Sequence, residues 1–416
     1  MIVLAGFADR GMQRPRDEFV GPPTALFERL RAWVAEVSSG RLHVRLHLGE
    51  AGVELPTARA QYVDNPLRLA RDALAAFAAA AVETADRRAL AEAHAAVVVF
   101  AGPGRESHVD RPTPADPWSN FVVLEPPIAG FSRAILLAES EEPPFSNFGV
   151  LCHELGHLLG LPELYAPGKT HEGIGVWGLM GQGTWLGRGE QPPHLSAWSK
   201  AQLGWIDVET VDRSVRGVRL PAVTREPRAV KILAVPGETR EYYLLENRRR
   251  EGADAALPGE GILVWHVDER RLAFRTAQSD PQHKLLHLVE ADGRGDLDRG
   301  HGAGGNRGDA GDPWAGPGPL RRALGLLALG VGASVLGVAV RGRRGRLLWR
   351  VGLVLLGTGG VVGGVSLRQS PVCGPETPGM APYGNAPGRV TLRGFSASGP
   401  EMTVDIEIAD AGEAKE

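Results

Sequence analysis

The chain has 416 residues, room for two or three domains, and a net charge of −3 with 23% charged residues. That near-neutral balance offers no basic face and argues against a nucleic-acid partner. Two cysteines, Cys152 and Cys373, exclude a disulfide-built scaffold, and 55 Gly with 31 Pro fit a loop-rich enzyme.

The first residues, MIVLAGFADR, read as a strand, with no basic leader, apolar core and small-residue cleavage site ahead of it. Residues 22–37 read as an amphipathic helix, opened by Pro22 and Pro23, closed near Gly40, with Leu26, Leu30, Val34 and Val37 inward. Arg41 to Leu48 alternates apolar and polar, the pattern of a half-buried strand, with His43 and His47 on its wet side. Pro66 to Glu83 is Ala-rich and helical, and Ala91 to Ala96 extends a second helix. Short strands follow at 97–100, 121–124 and 134–138, with a Pro/Gly/Asp-rich loop at 102–120. Strands alternating with helices predict a mixed α/β sheet.

Residues 149–165 read GVLCHELGHLLGLPELY. A helix turns about 100° per residue, so His153 and His157, four apart, share one face and can reach one Zn²⁺. Glu154, one position on, can take a proton from a metal-bound water. Gly160 lets the chain reverse, and Glu163 supplies a third, oxygen ligand six residues past His157. A second role for Glu163, orienting an imidazole, fits the same spacing; His171 and Glu172 are then the fallback ligands. Cys152 points elsewhere on the helix and reads as a small buried hydrophobe. Tyr165 reads as packing under the helix rather than serving an oxyanion, and His194 as structural. Met180 lies in the Gly-rich run GIGVWGLMGQGTW, which resembles the methionine turn that metzincins place beneath the zinc.

The extended zinc spacing is that of the metzincins. HELGHLLGLPELY, GIGVWGLMGQGTW and HLSAWSKAQLGW together resemble the secreted immune inhibitor A type of zinc metallopeptidase. In that family the acid after the glycine is commonly Asp in a PDLY setting; here it is Glu163. The resemblance implies a metzincin-like catalytic domain over 1–205 and a zinc-dependent endopeptidase acting on a protein or peptide substrate. A membrane-anchored zinc-binding module without peptidase activity is the alternative.

After Trp205 the pattern turns to strands, at 215–220, 229–235, 242–246, 262–267 and 285–289, giving a β-rich second domain over 206–317 that returns at 369–408 before a tail, 409–416. The stretches YYLLENRRREGADAALPGEGILVWHVDE and HLVEADGRGDLD extend the resemblance. Asp292, Asp296, Asp298, Asp309 and Asp312, spaced among glycines, can hold Ca²⁺ or form a solvated acidic loop. Ala323 to Val340 and Val351 to Leu367 carry no charge, and five arginines lie between them, from Arg341 to Arg350. They predict a two-helix membrane hairpin inserted at 318–368 with its basic loop in the cytoplasm. The catalytic domain is then expected on the extracytoplasmic side of a membrane-anchored protein, with the true start upstream of Met1.

Overall fold

The computed structural model describes residues 1–81, 85–108, 116–168, 170–233, 237–273, 277–316, 380 and 390–409. Its first half contains β1 (Ile2–Gly6), α1 (Leu26–Val37), β2 (Val53–Glu54), α2 (Pro66–Ala80), α3 (Ala85–Glu92), β3 (Ala96–Pro103), β4 (Asn120–Ile128), β5 (Phe131–Ser140), α4 (Phe148–Leu158) and α5 (Ala197–Gln202). The five strands form one sheet in the order β2-β1-β3-β5-β4. All neighbours are parallel except β4, which runs antiparallel to β5 and closes one edge. Parallel strands covered on both faces read as unbroken apolar runs, as in Val97-Val98-Val99-Phe100 and Ile135-Leu136-Leu137. One face packs against α2 through Leu69, Ala73, Leu74 and Phe77. The other packs against α1 and α4.

The helix expected over 22–37 begins only at Leu26. Two prolines precede it, and residues 22–25 form a turn closed by the Ala25 amide on the Pro22 carbonyl at 2.8 Å. The strand expected at 41–48 is an extended segment that meets β1 by a single bridge, Ile2 to Leu48. Its alternation is real, because Leu42, Val44, Leu46 and Leu48 pack on the core, but β1 already pairs with β2 and β3 on its two sides. His47 is anchored to Asp86 at 2.6 Å rather than free in solvent. The second helix ends at Glu92, and the β-branched run that follows becomes β3.

The second half contains β6 (Asp207–Val211), β7 (Val215–Pro221), β8 (Arg228–Leu233), β9 (Glu241–Arg248), β10 (Gly261–Asp268), β11 (Leu286–Leu288), β12 (Val390–Arg393) and β13 (Glu401–Ile408). A five-stranded sheet, β11-β10-β9-β8-β6, faces a three-stranded sheet, β12-β13-β7. Between them lies a core of Leu220, Ile232, Leu245, Val264, Leu392 and Val404. Strands β9 and β10 are buried on both faces. Their other face, with Tyr242, Leu244, Leu263 and Trp265, joins α1, α4, Trp177 and Trp198 in one continuous core. The β-rich half is thus packed directly under the segment that carries α4.

The inserted membrane hairpin is corrected. No helix among the described residues is long and apolar enough to cross a membrane. Residues 318–368, on which the hairpin fell, lie outside the described residues. The architecture of the described residues is a mixed α/β sheet with a β-rich second half.

Candidate metal centre

Helix α4 carries both histidines on one face. Their Nε2 atoms are 3.1 Å apart. Glu163 closes the triangle, with Oε1 at 3.1 Å from His157 Nε2 and Oε2 at 3.2 Å from His153 Nε2. The structure therefore brings His153, His157 and Glu163 together as a set able to hold a metal ion. Gly160, with φ of 98°, ends the helix in the left-handed region and turns the chain back so that Glu163 meets the histidines.

The outer nitrogens fix the rings. His157 Nδ1 donates to the Leu161 carbonyl at 2.9 Å, and His153 Nδ1 faces the Leu179 carbonyl at 3.2 Å and the Thr184 hydroxyl at 3.1 Å. A carbonyl oxygen only accepts, so Nδ1 carries the proton in both rings and Nε2 is turned to the centre. The Thr184 hydroxyl in turn donates to the Leu179 carbonyl at 3.2 Å.

Electrostatics follow from this packing. Burial lowers the pKa of His153, but the hydrogen bond and charge of Glu163 outweigh it and push it up to about 9. Burial would raise the Glu163 carboxyl; the hydrogen bonds of the two imidazoles hold it well below the usual carboxylate range. Glu154 is buried beside them. Burial raises its pKa, and the charges of His153 and His157 pull the other way. A buried carboxyl of raised proton affinity next to a metal-ligand set is suited to shuttle a proton.

Tyr165 does more than pack. Its hydroxyl donates to Glu163 Oε1 at 2.8 Å, and burial, with the charge of Glu163, pushes the phenol above its ordinary value so that it remains a donor. Thr184 and this role of Tyr165 escaped sequence reasoning. The one signal for Thr184 was a hydroxyl four residues past Met180.

Met180 is buried under the helix. A Cβ added to Gly156 would stand 2.3 Å from its sulfur, so the glycine inside His-Glu-Leu-Gly-His is what lets the methionine turn approach. The Leu164 amide donates to the Met180 carbonyl at 2.9 Å, and the Ile174 amide to the Leu164 carbonyl at 3.0 Å, strapping the ligand-bearing segment to the turn. The fallback residues lie elsewhere. His171 Nδ1 accepts the Gly173 amide, and Glu172 accepts the His301 amide. Cys152 is fully buried, and burial pushes its thiol up, which suits an inert filler. His194 is buried against the Lys200 ammonium at 2.5 Å and Glu36 at 3.4 Å, a structural setting.

The acidic residues of the second half separate. Asp298 pairs with Lys284 and His287, and Asp296 with Arg299 and Asn306. Asp309 accepts from Asn306 and the Gly311 amide. Asp292 and Asp312 come together with Glu290, which the sequence had not singled out.

Comparison with known proteins bears on the segment that carries these residues. Residues 138–206 match the family model described as immune inhibitor A peptidase M6, catalytic domain. The Pre-pro-metalloprotease PrtV of Vibrio cholerae serotype O1, from strain M66-2 and from strain ATCC 39315 / El Tor Inaba N16961, is 28% identical over 130 residues. Each match covers 29% of this chain and 13% of the relative, so the chain spans a small part of the length of the curated relatives it matches. These findings place the segment with the immune inhibitor A type of metallopeptidase, as HELGHLLGLPELY and its neighbours imply.

Proposed function

We propose that the chain is a zinc-dependent endopeptidase in which His153, His157 and Glu163 hold the metal and Glu154 is the general base. The observation that carries this reading is the triangle of inward donor atoms. Tetrahedral ligands about 2.0–2.1 Å from one zinc stand roughly 3.3 Å from each other, and the three contacts here are 3.1, 3.1 and 3.2 Å. Two imidazoles and one carboxylate, with no fourth His, Cys, Asp or Glu beside them among the described residues, match the donor set of catalytic zinc rather than a closed structural site. Zinc, when bound, lowers the pKa of water and polarises the scissile carbonyl.

The chain's own groups do the rest. Glu154 accepts the proton of the attacking water and returns it to the leaving amine, which needs the raised proton affinity its burial supplies. Tyr165 and the Leu179, Leu161 and Thr184 oxygens hold the ligand atoms in place. Strand β4 is one of the two edge strands of the first sheet, and the Phe121 ring at its start is 6.4 Å from that of His157. An extended peptide added along this edge would carry its backbone past the metal centre.

The test is Glu154→Gln. Zinc content near one per chain, with casein hydrolysis reduced by about 10²–10⁴-fold or more, is expected for a lost general base. Unchanged turnover at full zinc would remove Glu154 from the mechanism. A wild-type chain that binds zinc and cleaves no protein substrate would favour the binding-module alternative.

A further inference from the structure

The second carboxylate cluster, remote in sequence from the histidines, has the features of a built cation site. Glu290, Asp292 and Asp312 each offer an oxygen within 4.8 Å of the others. Each is fixed from outside. Glu290 accepts the Asp296 and Leu297 amides, both at 2.9 Å. Asp292 Oδ1 accepts the Arg294 amide at 3.1 Å, and Asp312 Oδ2 accepts the Trp177 indole at 2.7 Å and the Asp309 amide at 3.0 Å. What these bonds leave over points to a ligand. Asp312 is fully buried, and its Oδ1 accepts no hydrogen bond among the described residues. Among the described residues Asp292 Oδ2 also accepts none, and a cation near it is Arg294 at 3.3 Å, a half-exposed side chain. Buried carboxylate oxygens without donors are costly unless a cation meets them.

We propose that Glu290, Asp292 and Asp312 bind a calcium ion that fastens the segment from Trp177 to Met180 to the β-rich half. The donors are all oxygen, which selects a hard cation over zinc. Among hard cations, calcium accepts irregular carboxylate geometry, whereas magnesium demands a near-octahedral shell and sheds water reluctantly. The cluster borders a cleft lined by Glu290, Asp292, Gly293, Gly295 and Trp314, which leaves room for water to complete the shell. The ion lies where the two halves meet. The Val176 amide donates to the Arg307 carbonyl at 2.7 Å, and the Glu172 amide to the Leu297 carbonyl at 3.1 Å. Together with the bond from Trp177 to Asp312, these tie the acidic loop to the segment that runs directly into Met180. The proposal stands independently of the zinc reading.

Terbium luminescence on the full-length chain tests it, because Trp177 and Trp314 lie beside the cluster and can sensitise a bound lanthanide. One Tb³⁺ per folded chain, displaced by Ca²⁺ with a Kd of about 10⁻⁵–10⁻³ M, is expected. Asp292→Asn should weaken Ca²⁺ at least tenfold and abolish the rise in Tm that Ca²⁺ gives the wild type, with zinc content unchanged. Glu163→Gln should lower zinc content and leave the Ca²⁺ affinity as it was. Wild-type affinity for Ca²⁺ in Asp292→Asn overturns the site. So does a folded wild-type chain with no Ca²⁺-displaceable Tb³⁺ signal up to about 10 mM Ca²⁺, beyond the range of weak extracellular calcium modules.

Discussion

Asp254→Ala tests whether the β-rich half supports the catalytic segment. Asp254 and Arg248 both have fully buried side chains. The carboxylate takes Arg248 Nε at 2.6 Å on Oδ2 and Nη2 on Oδ1, a two-point grip, and Oδ1 also accepts the His194 amide at 2.9 Å. Burial opposes both charges; the attraction between them outweighs it, holding Asp254 below and Arg248 above their ordinary values. Removing the carboxylate strands a buried guanidinium, with Glu246 at 3.6 Å as its remaining carboxylate among the described residues. Breaking a buried pair in this way costs about 3–5 kcal/mol, and an orphaned buried amide adds about 1–3 kcal/mol. Urea unfolding should therefore show a loss of about 4 kcal/mol or more. The double variant Arg248→Met/Asp254→Leu should recover part of it, since an apolar pair removes the stranded charge. It should still lose the bond from Arg248 Nη1 to the Trp177 carbonyl at 2.8 Å, and with it some rigidity of the methionine turn. A loss below about 1 kcal/mol for Asp254→Ala, the value of an exposed ion pair, would refute the reasoning.

Four further outcomes are expected. Thr184→Val should weaken zinc about 10–100-fold, measured by competition with a chelating dye, because it removes a partner of His153 Nδ1. Glu163→Ala should lose metal and activity together; full occupancy at nanomolar free zinc would remove it from the ligand set. Gly156→Ala should destabilise by about 1–2 kcal/mol, crowding against Met180 exceeding the gain in helix propensity, and should become neutral or stabilising in a Met180→Ala background, checked by urea unfolding. Burial lowers the Lys200 pKa from its ordinary 10.5 to about 8. Between those values the unfolded chain holds the extra proton, so stability rises with pH across the window, and Lys200→Met should remove that rise in urea titrations at pH 8 and 10.

Much of the candidate metal centre is legible because it is local. His153, His157, Gly160 and Glu163 lie within eleven residues, and helical geometry alone puts the two imidazoles on one face. Thr184 was not legible, since a hydroxyl four residues past a methionine has no periodicity to mark it. Glu290 was missed for a related reason. It ends the apolar run LLHLVE, and only the return of the chain at residue 312 brings Asp312 to it. In the fold, the buried strands β3, β5, β9 and β10 stood out as apolar runs, whereas β6, DVETV, is polar and mostly exposed and gave no signal. The segment at 41–48 shows the opposite error. Alternation records which side of a segment is buried, not whether its backbone finds a ladder.

The longer arm at position 163 and the sharing of one core between the two halves bear on the same question, how a loop ligand is held still. A Glu has one more rotatable bond than an Asp, and a metal ligand that wanders loses affinity through entropy. Here the Tyr165 hydroxyl clamps one oxygen at 2.8 Å. Leu164, between the two, is fully buried and is bonded by its amide to Met180 and by its carbonyl to Ile174. That strap is in turn gripped from the β-rich half, by Arg248 on the Trp177 carbonyl and by Asp312 on the Trp177 indole. Trp177, fully buried between these two contacts, joins the sheet of β9 and β10 to the turn under His153 and His157. The rigidity that Glu163 would need as a ligand thus comes from residues at 248 and 312, far along the chain from the motif that carries it.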